Sequence, residues 1–212
     1  GAVEPAARVV WLHGNITSGG PADGHFRLAE QVARGAAPDA VLAVALVRPG
    51  YPDGSGAFSS GRDRRRADNW QRADLQEVAT AIDRLRQRYR PRVVLLVGHS
   101  GGAAIAAVLL GLQPQLAQAA LLLACPCDLP TWRRGKPGPY WLSEDPLRWA
   151  DAVPAQARVV ALTGSRDDTT PPALAQAYLQ RLRARGVDAR FDEVADAGHV
   201  DLLGHGQPAA IT

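Results

Sequence analysis

Five short apolar runs punctuate the chain, and longer stretches with helical periodicity separate them. Arg8-Val-Val-Trp-Leu12 ends at His13-Gly14. Ala40 to Val47 closes at Arg48-Pro49-Gly50. Arg92-Val-Val-Leu-Leu-Val97 stops at Gly98, and Ala119 to Ala124 and Arg158-Val-Val-Ala-Leu-Thr163 follow. Arg190 to Val194 reads as a short sixth strand at an edge. The runs are apolar on consecutive residues, as in a strand buried on both faces. Between them, Leu75, Val78, Ile82, Leu85 and Tyr89 recur at spacings of three and four, which predicts a helix laying one apolar stripe on a sheet. Leu174, Ala177, Tyr178 and Leu182 repeat the pattern, with Pro171-Pro172 suiting the first turn and Gly186 the end. Strand and helix alternation with short links predicts the α/β class, a mostly parallel, doubly wound sheet flanked by helices. Reactive groups gather at the carboxyl ends of the strands in such sheets.

The 212 residues fit one domain, 1–212, with no repeat and no linker. Apolar residues make up 46% and charged residues 21%, which argues against disorder. Pro49 to Asn69 and the segment 126–150 lack clear periodicity, and the second is read as a lid-like or cap region. The net charge is only +3, and the one dense basic run, Arg62 to Arg66, has no interleaved aromatics. It is read as a solvated loop, so no nucleic-acid partner is expected. No run of about 18 uncharged apolar residues exists, so no membrane span is expected. Cys125 and Cys127 flank a single proline; neighbours this close rarely reach disulfide geometry, so no bridge is expected, and no further Cys or His pair completes a metal site. Cysteine usage leaves the compartment open. Methionine is absent, and the chain is read as a processed or trimmed form.

Gly98-His99-Ser100-Gly101-Gly102 follows the third strand and opens an alanine-rich helix. The pattern G-x-S-x-G describes a sharp strand-to-helix turn that presents a serine at the top of a sheet, with glycines where side chains would collide. Its alternative is a plain turn with a capping serine. A serine hydroxyl needs a base. His199, in the loop after the last strand and behind Gly198, is the best placed of five histidines, with His205 as fallback. The imidazole needs a carboxylate to hold its tautomer. Asp167, at the end of the fifth strand, is the choice; Asp168 and Asp128 compete. The backbone amides of Asn15, after His13-Gly14, and of Gly101 would receive an oxyanion. Tyr51, Phe58, Trp132, Tyr140, Trp141 and Trp149 are candidates to line a substrate pocket, with loop packing as the alternative.

Together, His13-Gly14, Arg48-Pro49-Gly50-Tyr51, the pentapeptide around Ser100, Gly164 with Asp167 and Pro171, and Gly198-His199 resemble the α/β-hydrolase superfamily over nearly the whole chain. The resemblance implies an acyl-serine mechanism without a cofactor, acting on a small ester. The chain departs from the usual pattern in lacking the antiparallel strands that commonly precede the first strand, and its tail after His199 is short. A reduced core is therefore expected. A serine peptidase or amidase acting on short peptides, or a non-catalytic binding protein on the same fold, remain the alternative functions. Compartment and oligomeric state are not specified by these residues.

Overall fold

The computed structural model describes residues 5–18, 20–37, 40–61, 70–136 and 142–204. Six strands form one sheet: β1 (Ala7–Leu12), β2 (Val41–Leu46), β3 (Val93–His99), β4 (Ala119–Leu123), β5 (Arg158–Gly164) and β6 (Asp188–Val194). Their order is β2-β1-β3-β4-β5-β6, and each neighbouring pair is parallel. Among the described residues the sheet has no antiparallel strand, as the reduced core predicts. The predicted sixth strand lies at an edge, as expected, but runs to seven residues and alternates in burial because one face meets water.

Successive residues of the inner strands point to opposite faces, and both faces are covered. Val10 and Leu12 enter a cluster with α2 (Arg72–Tyr89), α3 (Gly101–Leu112) and α6 (Pro172–Ala184). Val9 and Trp11 enter a second cluster with α1 (Gly24–Gly35) and α7 (Asp201–Gly204). That two-sided burial is why the strands read as unbroken apolar runs. Helix α3 is buried on every side from Gly101 to Gly111. An all-round apolar helix suits only a central position. Its small residues let it lie close to the backbone around it; a Cβ on Gly111 would stand 2.2 Å from the Trp149 carbonyl oxygen.

One expectation needs correction, and the aperiodic segment 126–150 gains detail: it holds the short helices α4 (Leu129–Arg133) and α5 (Pro146–Trp149). Both are too short to show periodicity and are marked instead by capping aspartates, Asp128 and Asp145. Cys125 and Cys127 do form a disulfide. Their Cα atoms are 5.1 Å apart, inside the range a bridge spans, so the short spacing never forbade the bond. Ala124, just before them, has φ +49°, and the chain turns sharply out of β4 there. Among the described residues no helix is long and apolar enough to cross a membrane.

Candidate active site

The chain goes from β1 to β2 on one side and to β3 on the other, so a crevice opens where the order reverses. The loops after β1, β3, β5 and β6 carry Asn15, Ser100, Asp167 and His199 to this rim.

Ser100 is the residue before α3 and has φ 53° and ψ −120°, a rare conformation for a side-chain-bearing residue. Such backbone costs on the order of 1–3 kcal/mol and persists only where packing imposes it. The packing here is backbone on backbone. A Cβ on Gly98 would lie 2.3 Å from the Gly102 carbonyl oxygen, and one on Gly102 would lie 2.1 Å from that of Leu12. Side chains at either position would push the turn off the sheet. The half-buried serine makes no capping hydrogen bond, which removes the capping alternative. Its amide donates to the Leu123 carbonyl (2.8 Å), tying the turn to β4.

Asp167 is 2% exposed. Its Oδ1 accepts from the amides of Thr169 (3.0 Å) and Thr170 (2.8 Å), and its Oδ2 lies 2.8 Å from the Thr170 hydroxyl. His199 Nδ1 stands 2.9 Å from Oδ2 and 3.1 Å from Oδ1. Nδ1 donates to this carboxylate, which leaves Nε2 as the basic nitrogen. Burial pushes the Asp167 carboxyl up, but the bonds from His199 and from the Thr170 amide and hydroxyl together outweigh it. The group is held below the usual carboxylate range. Asp168, one residue on, is exposed, and Asp128 caps α4 by accepting from the Thr131 amide (3.1 Å). Neither competitor reaches the imidazole.

His99 lies beside His199, with ring centroids 4.9 Å apart. Its Nε2 is 2.8 Å from the His199 carbonyl oxygen, which only accepts, so Nε2 carries the hydrogen. Burial, reinforced by the nearby His199, lowers the His99 pKa to about 4 against the opposing pull of that hydrogen bond and of Asp167. His99 is therefore neutral near pH 7. The residue next to Ser100 thus grips the backbone of the residue that Asp167 orients.

The loop after β1 closes the other side. A Cβ on Gly14 would lie 3.1 Å from Ser100 Cβ, and one on Gly101 only 2.3 Å from Asn15 Oδ1. Arg48, buried at the end of β2, holds this loop. Its amide donates to His13 Nε2 (2.9 Å), and its Nη1 reaches the His13 carbonyl (2.9 Å) and Asn15 Oδ1 (3.0 Å). His13 Nδ1 then donates to the Gly14 carbonyl (2.8 Å). Burial lowers the Arg48 pKa, opposed by Tyr51 and Asp74.

Residues 9–159 match the model of the alpha/beta hydrolase family. The chain belongs to this family. No curated protein matches it by sequence. Solved structures of similar fold include the Pyrococcus furiosus esterase Pf2001, with TM-score 0.69, 16% identity and coverage of 92% of this chain and 76% of that one. The esterase PE8 has TM-score 0.63 and 22% identity, covering 96% and 91%. The Pyrococcus horikoshii acylaminoacyl peptidase has TM-score 0.69 and 15% identity, covering 97% of this chain but 35% of its own.

In this member of the alpha/beta hydrolase family the structure brings Asp167 and His199 into contact and sets Gly14 and Asn15 against the Ser100 turn. Tyr51 is buried, its ring edge on His13 at 4.6 Å, and follows the packing alternative. Trp132 ties α4 to the acid loop through Nε1 and the Thr169 carbonyl (2.7 Å). Phe58 is exposed, and Trp149 packs beneath α3. Trp141, Tyr140, His205 and the basic run Arg62 to Arg66 lie outside the described residues. Thr170 was not anticipated, although Asp followed three residues later by Thr is the spacing of a carboxylate-capped turn. Arg48 was visible only as part of a motif, and nothing local marks the His99 contact. Among the described residues no cluster of His, Cys, Asp and Glu is fit to hold a metal.

Proposed function

We propose that this chain is a serine hydrolase that cleaves carboxylic esters through an acyl-serine intermediate. The observation that carries the reading is the buried Asp167 carboxylate on His199 Nδ1, with the His199 backbone held by the residue that precedes Ser100. Ser100 Oγ attacks the ester carbonyl carbon while His199 Nε2 takes its proton. The amides of Asn15 and Gly101 receive the oxyanion; Gly101 begins α3, where amides lack intrahelical partners. The intermediate collapses, the C–O bond breaks, and His199 returns the proton to the departing alcohol. Water, deprotonated by His199, then attacks the acyl-enzyme and releases the acid and Ser100. Each step is confined to proton and acyl transfer, so no cofactor is invoked. The esterases of similar fold support an ester as the scissile bond.

The test is Ser100→Ala. It keeps the parent's melting profile and loses hydrolysis of a short p-nitrophenyl ester and labelling by a fluorophosphonate probe. Parent-like turnover in that variant overturns the mechanism. A matched panel of amide substrates separates an esterase from the peptidase alternative.

A further inference from the structure

The segment that follows β2 shows no periodicity in sequence, yet it closes on itself. The Gly50 amide donates to the Ser60 carbonyl (3.2 Å), the Ser59 amide to the Tyr51 carbonyl (3.0 Å) and the Asp53 amide to the Ala57 carbonyl (3.0 Å). Pro52 and Phe58 form an antiparallel bridge across it. The Ser59 hydroxyl donates to the Arg48 carbonyl, and so does the Tyr51 amide (3.3 Å). Arg48 lies two residues past the end of β2, so its backbone is anchored to the sheet on one side and to this closed loop on the other.

From that anchor Arg48 reaches the loop after β1. Its amide binds His13 Nε2, and Nη1 donates to the His13 carbonyl and to Asn15 Oδ1. Tyr51 backs the contact: its ring packs on His13 and lies 5.4 Å from the guanidinium carbon. On its other side Asn15 Oδ1 stands 2.3 Å from where a Gly101 Cβ would be. The Asn15 side chain is therefore pinned between the guanidinium and the Gly101 Cα. Asn15 and Gly101 are the two residues whose amides receive the oxyanion in the proposed mechanism. Arg48 is 1% exposed. Taking a guanidinium out of water is costly, and an apolar side chain of similar size would fill the space without that penalty. It could not hold two acceptors on a neighbouring loop. Donors stabilise an oxyanion best when they are set in place before the charge develops.

We propose that Arg48 is a positioning residue: it clamps the loop after β1 so that the Asn15 amide stays beside the Gly101 amide where the oxyanion forms. Being buried, it acts through Asn15 and His13. This deepens the ester-hydrolase reading and rests on it.

The experiment measures kcat and KM on a short p-nitrophenyl ester, per active site counted by end-point fluorophosphonate labelling. It adds Ki for a trifluoromethyl ketone, which forms a hemiketal oxyanion on Ser100. Arg48→Met lowers kcat on the order of 10²-fold, as a donor displaced by about 1 Å would, and raises Ki in step while KM stays within about threefold. Arg48→Lys keeps the charge and one donor and recovers about tenfold of that loss. Asn15→Ala keeps its amide but loses Oδ1, and kcat falls comparably. The double variant falls no more than about threefold further, because both substitutions break one clamp. A merely structural arginine would lower the melting temperature and leave kcat per active site within about threefold of the parent; that result overturns the proposal. So does a loss carried by KM alone, or a double variant in which the two losses multiply. If Arg48→Met does not fold, Asn15→Ala decides, and a kcat within about threefold of the parent overturns the clamp. A parent that neither hydrolyses the ester nor takes the label overturns the hydrolase reading and the clamp with it. An active parent with insensitive variants overturns the clamp alone.

Discussion

The turn at Ser100 and the loop at Asp167 sit two strands apart on one rim, yet they are held by opposite means. The turn is fixed by steric exclusion: glycines at 98 and 102 let backbone meet backbone, and the serine side chain itself caps nothing. The loop is fixed by polar bonds, with two amides, a hydroxyl and an imidazole converging on one carboxylate. In the proposed mechanism Ser100 attacks, and a group that attacks gains from leaving its oxygen uncommitted. A group that must stay put gains from having every lone pair occupied. The two regions should therefore fail differently.

The widest separation between function and stability is expected at the acid. Asp167→Asn leaves most of the packing intact but favours the wrong histidine tautomer, and turnover falls on the order of 10⁴-fold. Ester kinetics beside a thermal melt check this, and a loss below about tenfold would detach Asp167 from the chemistry. Gly98→Ala attacks the other region. The Gly102 backbone 2.3 Å from the new Cβ cannot give way cheaply, so stability falls by roughly 4 kcal/mol and activity falls with it. A melting temperature unchanged from the parent would show the turn to be softer than its contacts imply.

His99 bridges the two regions and supplies a pH test. An unfolded histidine titrates near 6.5, whereas the folded His99 titrates at about 4. The folded state therefore binds fewer protons between these values. Its stability is full above pH 6.5 and is lost as the pH falls toward 4, by roughly 3 kcal/mol. His25, also lowered by burial, adds in the same direction. Denaturant melts from pH 7 to pH 4 should slope less in His99→Gln; equal slopes would remove His99 as the source.

The smallest effect is expected at Thr170. Its hydroxyl lies 2.8 Å from Asp167 Oδ2, 3.0 Å from the Ala124 carbonyl and 3.1 Å from His199 Nδ1. It has one proton to give to one of these oxygens, while the Nδ1 hydrogen goes to Asp167. Thr170→Val lowers kcat about tenfold with little change in KM, and Thr170→Ser restores it. A loss confined to stability would make the hydroxyl purely structural.

Much of this was legible beforehand. The strands were readable because an inner strand buried on both faces must be apolar on consecutive residues, as Val93 to Val97 is. The turn was readable because its steric demand falls on residues two apart. Asp167 against Asp168 was not decidable: both are acidic, and the choice depends on which one the amides of Thr169 and Thr170 enclose. The bridge between Cys125 and Cys127 was misread because a two-residue spacing says nothing of how the chain bends after β4.

By itself the sequence determined the α/β class, the six strand segments, and the order in which Ser100, Asp167 and His199 follow them. Those rest on periodicity and sterics within a few residues. The tertiary structure decided which carboxylate faces His199, that Arg48 braces His13 and Asn15, and that His99 grips His199. These contacts span 32, 35 and 100 residues of chain in the Asp167–His199, Arg48–His13 and His99–His199 pairs. Partner choice at such separations is set by how the strand ends converge, and no local pattern encodes that convergence.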